Sequence, residues 1–244
     1  MEVSEYKNIF ENEDSHWWYQ SLHNCILSSL RKFMDGGKSM HQILDAGCGA
    51  GGVLNAIAVR YPNHNLFGID LSENALRLCK VRKLDRLYQG TIENLPFENE
   101  TFDIVISIYV LYHKNVIDDD RAIREFYRIL KKGGHLIAQV PAFNFLTSGH
   151  DAVVHTVRRY TKSHFQVKLE NSGFIVDYCT YRYFFLFPIL IFRKIFSIFF
   201  KTRGIRSNLK ANTSIFNFLL YHFLCFEWYF SKYVKIPVGS SLYC

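Results

Sequence analysis

The chain has 244 residues, of which 49% are hydrophobic and 21% are charged. These proportions exclude a disordered protein and suit one α/β domain with an appendage. Its six cysteines are scattered without a C-x-x-C pair, which argues against a metal site and favours a reduced, cytoplasmic setting. No apolar run reaches the ~18 residues of a membrane-spanning helix, and the polar, acidic start of the chain does not resemble a signal peptide.

The formal net charge of +7 comes from residues 175–244, which hold 9 basic and only 2 acidic residues. The same segment holds 20 of the 40 aromatic side chains. Basic and aromatic residues together predict contact with an anionic surface. A nucleic-acid groove needs exposed cations along its length, whereas here the cations flank unbroken apolar runs. We therefore expect no nucleic acid and favour a membrane interface.

The first predicted element is a helix over residues 16–34, because leucine and isoleucine recur there with helical spacing. Asp14 or Ser15 is suited to cap its N-terminus, and Gly36 and Gly37 end it. Two interpretations are open. The segment is a lid whose aromatic residues, Trp18 among them, cover a cofactor or an acceptor, or it packs its tryptophans on the domain.

The stretch 43–52 predicts a short buried strand that turns through glycines into a helix. Gly47, Gly49 and Gly52 satisfy the spacing G-x-G-x-x-G of dinucleotide-binding proteins, which is a weak signal when it stands alone. Asp45 precedes the first glycine by two residues and would lie at the strand tip. A carboxylate there would repel a pyrophosphate but attract a cationic ligand.

A second strand is predicted over residues 66–70 and ends in Asp70. This acid follows the glycines by about twenty residues, the distance at which a carboxylate commonly accepts both ribose hydroxyls of a nucleoside. The alternative is that Asp70 caps the next helix, predicted from Asn74 to Lys83, although Ser72 is better placed for that task.

Five segments, among them the strand that ends in Asp70, resemble the motifs of class I S-adenosylmethionine (SAM) methyltransferases in the family's order. The other four are D-x-G-x-G-x-G at residues 45–51, Leu-Pro-Phe at 95–97, the strand F-D-x-V beginning at 102, and R-I-L-K-K-G-G-H-L at 128–136. The resemblance covers residues 40–141. It implies a Rossmann-like, doubly wound sheet of seven strands with an antiparallel last strand, SAM as cofactor and S-adenosylhomocysteine as product.

The resemblance also implies a set of cofactor-binding residues. Asp45 and the backbone after it would hold the methionine portion, with Ser107 beside it; Asp70 would hold the ribose; and Leu71 and Ile92 would flank the adenine. Thr91 stands where the family often has an acid, so its side chain can only be a neutral partner. The full set is Asp45, Ala46, Gly47, Cys48, Gly49, Gly51, Asp70, Leu71, Thr91, Ile92, Glu93 and Ser107.

A polar loop follows the fifth predicted strand, at the edge where ligands bind in doubly wound folds. It resembles a loop H-D…H-x-R-R-Y in a subgroup of methyltransferases, with His155 displaced by one position. His150 or Asp151 is the predicted general base, and His113 on a neighbouring loop is another candidate. Alternatively, Asp151 pairs with an arginine and holds the loop shut. The predicted acceptor-binding residues are Trp18, His155, Arg158, Arg159 and Tyr160.

Strands are predicted over residues 173–181 and 236–243, the latter as the antiparallel seventh strand. Residues 182–234 would then form one insertion at the rim of the pocket, built from two apolar helices with a basic stretch between them. This helical hairpin suits a membrane interface, but burial against the sheet and a dimer contact are open alternatives. The chain thus divides into a lid helix (1–38), a SAM-binding core (39–181), the insertion (182–234) and a final strand (235–244).

Together these features predict SAM-dependent methyl transfer, by in-line displacement, to a small amphipathic or lipid- or glycan-linked acceptor. Two alternatives remain: an NAD(P)-dependent oxidoreductase and a non-catalytic membrane- or partner-binding protein that keeps the fold. The predicted location is cytoplasmic, with peripheral contact at the inner face of a membrane through the insertion. No metal is expected, and the oligomeric state is left open.

Overall fold

The computed structural model describes residues 3–34, 40–200 and 214–244, except for the side chains of residues 3, 4, 150, 197–200 and 214. The strands are β1 (Gln42–Ala46), β2 (Asn65–Asp70), β3 (Leu87–Gln89), β4 (Phe102–Ile108), β5 (Leu130–Pro141), β6 (Thr180–Arg182) and β7 (Ser241–Tyr243). The helices are α1 (Val3–Asn12), α2 (Trp17–Met34), α3 (Gly52–Arg60), α4 (Glu73–Val81), α5 (Asp119–Ile129), α6 (Gly149–Val153), α7 (Lys162–Asn171), α8 (Phe187–Phe200) and α9 (Ser214–Phe230). The glycines predicted to end α2 lie outside the described residues.

All seven strands form one sheet in the order β3-β2-β1-β4-β5-β7-β6, with β1 to β5 parallel and β7 antiparallel to both of its neighbours. This confirms the predicted fold. The central strands β1 and β4 are apolar and buried because helices cover both faces of the sheet. The carboxyl ends of β1, β2 and β4 therefore meet at one edge.

The last two strands are shorter than predicted. β7 has three residues because it pairs only with Gln139 to Pro141 of β5. β6 also has three residues because it pairs only with the three residues of β7. The prediction also missed α1 at the polar start of the chain. Its acidic composition conceals an amphipathic helix that packs on α4.

The scattered cysteines of the sequence favour a reduced setting, but Cys179 and Cys244 form a disulfide. Thr180 of β6 stands opposite Tyr243 of β7. One step further along this antiparallel pair, Cys179 faces Cys244. Sequence spacing gave no sign of the pair because 65 residues separate the two cysteines.

Helix α9 packs one face along α2 and leaves the rest exposed. The indole of Trp228 donates a hydrogen bond to the Ser28 hydroxyl at 2.5 Å, and the Trp17 amide donates to the side chain of Asn217 at 2.7 Å. Both α8 and α9 present large apolar side chains to solvent. Within the described ranges, neither these helices nor any other is long and apolar enough to cross a membrane.

Candidate active site

A cavity of about 1510 Å³ opens at the carboxyl edge of β1, β2 and β4. Its walls include the glycine turn after β1, the two N-terminal helices, the segments that follow β2, β3, β4 and β5, and part of α8. The cavity therefore joins the predicted cofactor site to the rim of the insertion, and the residues below are placed relative to it.

The glycine turn is shaped by positive backbone φ angles and by Asp70. Gly47 has φ +92° and lies so close to Val110 that a Cβ atom would collide with that side chain. One carboxylate oxygen of Asp70 accepts the Gly49 amide at 2.9 Å, and the other accepts the Ser72 amide at 2.8 Å. Burial raises the pKa of Asp70 despite these two bonds. Asp70 thus fixes the turn and still has lone pairs for hydroxyl donors.

Asp45 is a buried carboxylate for which the described residues supply no compensating charge. It is 2% exposed and lines the cavity, and no hydrogen bond from another described residue reaches its carboxylate. Burial raises the pKa of Asp45 to about 8, with further contributions from the charges of Asp70 and Glu13. A buried carboxylate of this kind is costly unless a cation pairs with it. The site therefore suits a positively charged ligand.

Sequence reasoning missed Glu13, which lies in the turn between α1 and α2. Its buried carboxylate pairs with Arg82 at 2.8 Å and lies against Gly52, where a Cβ atom would collide with it. Burial raises the pKa of Glu13 to about 7 even though Arg82 and the Gly52 amide act in the opposite direction. Arg82 also donates to the Ala50 carbonyl at 3.1 Å. The Glu13 carboxylate thus already lies at the N-terminus of α3, where the partial positive charge of a helix favours an anion.

The end of the cavity next to Asp70 is lined by Leu71, Thr91 and Ile92, three of the residues predicted to bind the cofactor. Tyr6 of α1 lies over this end, next to Asp70, and burial followed by the charge of Asp70 raises its pKa to about 12. The sequence gave no signal for Tyr6, because its position depends on how α1 docks against α4.

Four residues predicted to contact the cofactor do not line the cavity: Ala46, Gly51, Glu93 and Ser107. Ala46 is buried in β1, and Gly51 caps α3 with φ +84°. The Glu93 carboxylate accepts the backbone amides of Ile117 and Asp118 instead. The Ser107 hydroxyl is buried and makes no hydrogen bond with the described residues. Cys48 and the remaining predicted residues do line it.

The partners of the Asp151 carboxylate favour the alternative that this residue holds the loop in place over the interpretation that it is a general base. Its carboxylate pairs with Arg159 at 2.7 Å and accepts the Ser148 amide at 2.7 Å. These partners lower the pKa of Asp151 against the opposing effect of burial, which makes it a poor proton acceptor. Both Asp151 and Arg159 line the cavity wall.

Arg158 and Tyr160 point away from the cavity, contrary to the acceptor-binding prediction. The Arg158 guanidinium donates to the carbonyls of Leu111 and Val116. The buried Tyr160 hydroxyl donates to Asp119 at 2.8 Å. These two side chains tie the loop to α5 and the segment before it, which a linear motif cannot distinguish from acceptor binding.

The three histidines have different positions. His113 lines the cavity, and burial lowers its pKa to about 4, so the ring stays neutral at physiological pH. Its Nδ1 accepts the Asn115 amide at 3.2 Å, which places the proton on Nε2 as a donor. His155 packs its ring 5.6 Å from that of His113 but does not line the cavity. The side chain of His150 lies outside the described residues.

An aromatic wall faces the glycine turn. The ring of Trp18 stacks on Tyr109 at 5.5 Å and on Tyr183 at 6.0 Å, and all three line the cavity. Trp18 was predicted to bind the acceptor. Tyr109 and Tyr183 were not, since they come from the ends of β4 and β6 and are 74 positions apart in the sequence.

A parallel sheet with a glycine turn after β1 and an acid at the tip of β2 defines a Rossmann-like, nucleoside-binding protein. Residues 44–138 match the model of a family described as methyltransferase domain. The segment from β1 to β5 is therefore similar to a methyltransferase domain. The family and the fold imply SAM as cofactor and S-adenosylhomocysteine as product.

One relative is a ubiquinone/menaquinone biosynthesis C-methyltransferase of Syntrophotalea carbinolica, 33% identical over 147 residues. The match covers 58% of this chain and 58% of the relative, so the chain spans less than two thirds of that protein's length.

Two solved structures share the fold. One, a possible histamine N-methyltransferase of Thermotoga maritima, has a TM-score of 0.56 and 23% identity, and the match covers 75% of this chain and 82% of the other. The second comes from the complex of a methyltransferase with the Trm112 methyltransferase activator of Haloferax volcanii. It has a TM-score of 0.59 and 17% identity, with coverage of 99% and 91%.

Proposed function

We propose that the chain transfers a methyl group from SAM to a small amphipathic or lipid- or glycan-linked acceptor by in-line displacement. The observation that carries the proposal is Asp45, a buried carboxylate on the cavity wall with no cationic partner among the described residues. SAM supplies an activated methyl group together with an ammonium and a sulfonium charge. The protein's task is then to bind and align the two reactants.

The described residues divide this task between them. Asp45 and the backbone of the glycine turn hold the methionine portion, and Asp70 accepts the ribose hydroxyls. Leu71 and Ile92 flank the adenine, and Tyr6 of α1 covers the nucleoside from above. Residues of α2 and α8 exclude water from the acceptor side.

The acceptor is proposed to be amphipathic because the cavity continues beneath α8. Leu190, Phe192 and Phe196 of this helix line the cavity, next to Arg193 and Lys194. An apolar wall with cations beside it suits a ligand with a greasy portion and a polar or anionic group. The relative named for ubiquinone/menaquinone biosynthesis supports an acceptor of this type.

Peripheral contact with a membrane forms part of the proposal. The exposed apolar side chains of α8 and α9, here called the apolar face, are Ile189, Phe192, Ile195, Phe196, Ile215, Phe216, Phe218, Leu219, Phe223, Phe226, Tyr229 and Phe230. Soluble monomers rarely leave so many large apolar side chains exposed on two helices. The excess positive charge of this part of the chain favours anionic lipid as the partner.

Calorimetric titration of the protein with S-adenosylhomocysteine and with NADH separates the proposal from an oxidoreductase. The Glu13 carboxylate lies against the first residue of α3 and would repel a pyrophosphate there. We therefore expect binding of S-adenosylhomocysteine and no binding of NADH. Asp45→Asn should weaken that binding at least tenfold, whereas the control Asp177→Asn, at an exposed acid outside the cavity, should not. Binding of NADH alone would refute the proposal, and binding of neither would favour a non-catalytic protein.

A further inference from the structure

Two tyrosines at the bottom of the cavity have an unusual backbone. Tyr109 follows β4 with φ +57°, and Tyr183 follows β6 with φ +62°. Bulky side chains rarely adopt this left-handed region, and such residues cluster at functional sites. In both cases the backbone turn aims an aromatic ring at the same part of the cavity, next to Ser241.

A chain of hydrogen bonds connects Tyr109 to a buried cation. The Arg182 guanidinium donates to Oε1 of Gln139 at 2.9 Å, and Nε2 of Gln139 donates to the Tyr109 hydroxyl at 2.5 Å. The Tyr109 hydroxyl in turn lies 2.7 Å from Oγ of Ser241. Each donor in this chain is polarised by the one before it. We call Tyr109, Gln139, Tyr183 and Ser241 the polar floor.

The charge of Arg182 is not neutralised by an acid in the described part of the chain. The side chain is 3% exposed and packs over the rings of Tyr183, Trp228 and Tyr243. The buried acid of α9, Glu227, instead accepts the backbone amides of Tyr183 and Phe185. A buried guanidinium without an anion is costly, so the polar floor lies in a field that favours negative charge.

The Tyr183 hydroxyl is a buried donor on a residue that lines the cavity. The residue is 2% exposed, and its hydroxyl lies beside Tyr109 and Gln139 without completing a hydrogen bond among the described residues. Burial raises the pKa of both tyrosines, so their hydroxyls stay protonated and can donate. Neutral donors beside a buried cation resemble the groups that stabilise an oxyanion.

We infer that the polar floor binds an anionic oxygen of the acceptor, conjugated as in a phenol, an enol or a carboxylic acid. The inference rests on the proposed function and names its acceptor class. An acceptor held as its anion, with its proton already lost to solvent, supplies the electron pair for the new bond to the methyl carbon. The electron pair of the carbon–sulfur bond leaves with sulfur. A protonated amine would be repelled by Arg182.

Three probes of similar size test this inference on the full chain saturated with S-adenosylhomocysteine: para-nitrophenol, para-nitrobenzoate and para-nitroaniline. Calorimetry measures their affinity, and the visible absorbance of para-nitrophenol reports whether it is bound as phenolate. We expect at least one anion to bind about tenfold or more tightly than para-nitroaniline, as for hydrogen bonds to a charged group. The preferred anion distinguishes a phenol or enol from a carboxylic acid.

Tyr183→Phe removes only a hydroxyl that lacks a partner, so it should preserve the thermal stability and the affinity for S-adenosylhomocysteine. It should reduce the anion preference about tenfold, whereas the exposed control Tyr233→Phe should leave it unchanged. Equal affinity for the anions and para-nitroaniline would overturn the inference, as would binding of para-nitrophenol in its neutral form. If the wild type fails to bind S-adenosylhomocysteine, the proposed function fails and the inference fails with it.

Discussion

The carboxylate of Glu13 lies against the backbone of Gly52, in the place that a Cβ atom of residue 52 would occupy. The third glycine of G-x-G-x-x-G usually leaves room for close helix packing near a pyrophosphate. In this protein it leaves room for an acid from the turn between α1 and α2. The N-terminal helices and the glycine turn are therefore joined at one contact, reinforced by the ion pair between Glu13 and Arg82.

Gly52→Ala should destabilise the wild type by about 1–3 kcal/mol, because the new methyl group overlaps the Glu13 carboxylate. In a Glu13→Ala background the same change should be neutral or stabilising by about 0.5–1 kcal/mol, since alanine is the better helix residue. Chemical denaturation of the four proteins measures this change of sign. If Gly52→Ala destabilised both backgrounds equally, Glu13 would not be the reason that residue 52 is a glycine.

Affinity for S-adenosylhomocysteine should depend on pH through Asp45. The pKa of this carboxyl in the free protein is raised to about 8, and the ammonium group of S-adenosylhomocysteine selects the ionised form. Binding of wild type should therefore strengthen from about pH 6 to about pH 8, by at most about tenfold per pH unit. Calorimetry on Asp45→Asn should give weaker binding with little pH dependence; the same slope in the variant would assign the titration to another group.

Asp151→Asn should lower the free energy of unfolding by about 2 kcal/mol. This lies between the contributions of exposed and of buried ion pairs, because the pair of Asp151 with Arg159 borders the cavity. The pKa of Asp151 is lower in the folded state than in the unfolded state. The stabilisation by Asp151 is therefore complete above the unfolded-state pKa and is lost as the pH falls through the folded-state pKa. The stability difference between wild type and variant should shrink accordingly under acid. Unchanged stability with lost methyl transfer would restore the general-base hypothesis.

Vesicles test the apolar face. Wild type should float with vesicles that contain anionic lipid, and the triple variant Phe216→Ser, Leu219→Ser and Phe226→Ser should float more than tenfold less, because each side chain contributes apolar burial. The matched control, Val59→Ser, Ile117→Ser and Ile175→Ser, changes apolar residues that are as exposed but lie on other elements. Equal flotation of the two triple variants would remove the membrane proposal.

Most of the sheet could be predicted because its signals are local. Apolar runs flanked by turn residues located β1, β2 and β4, and Ser72 caps α4 as predicted, accepting the Ala75 amide. Asp45 and Asp70 could be placed at one edge because parallel strands end together there. Helix α1 was missed because its acidic residues conceal the amphipathic pattern and because its packing on α4 depends on a distant segment.

The polar loop after β5 shows where a linear motif stops being informative. Asp151, Arg158 and Tyr160 are polar residues in a loop at the ligand-binding edge, and either catalysis or an internal ion pair fits that description. Their roles follow from which groups lie within hydrogen-bonding distance, and those groups belong to other segments: Leu111, Val116 and Asp119.

Residues near one another in the chain therefore sufficed for the glycine turn and its two acids, since periodicity, caps and turns depend on neighbours. The seven-stranded fold was predicted from the resemblance of several motifs to one family. Contacts between distant segments required the folded structure: Glu13 on Gly52, Arg182 behind Tyr109, and the disulfide between Cys179 and Cys244. Burial and unpaired charge arise from such contacts. They decide that the Asp45 carboxylate and the Arg182 guanidinium are both buried, which no single segment of the sequence shows.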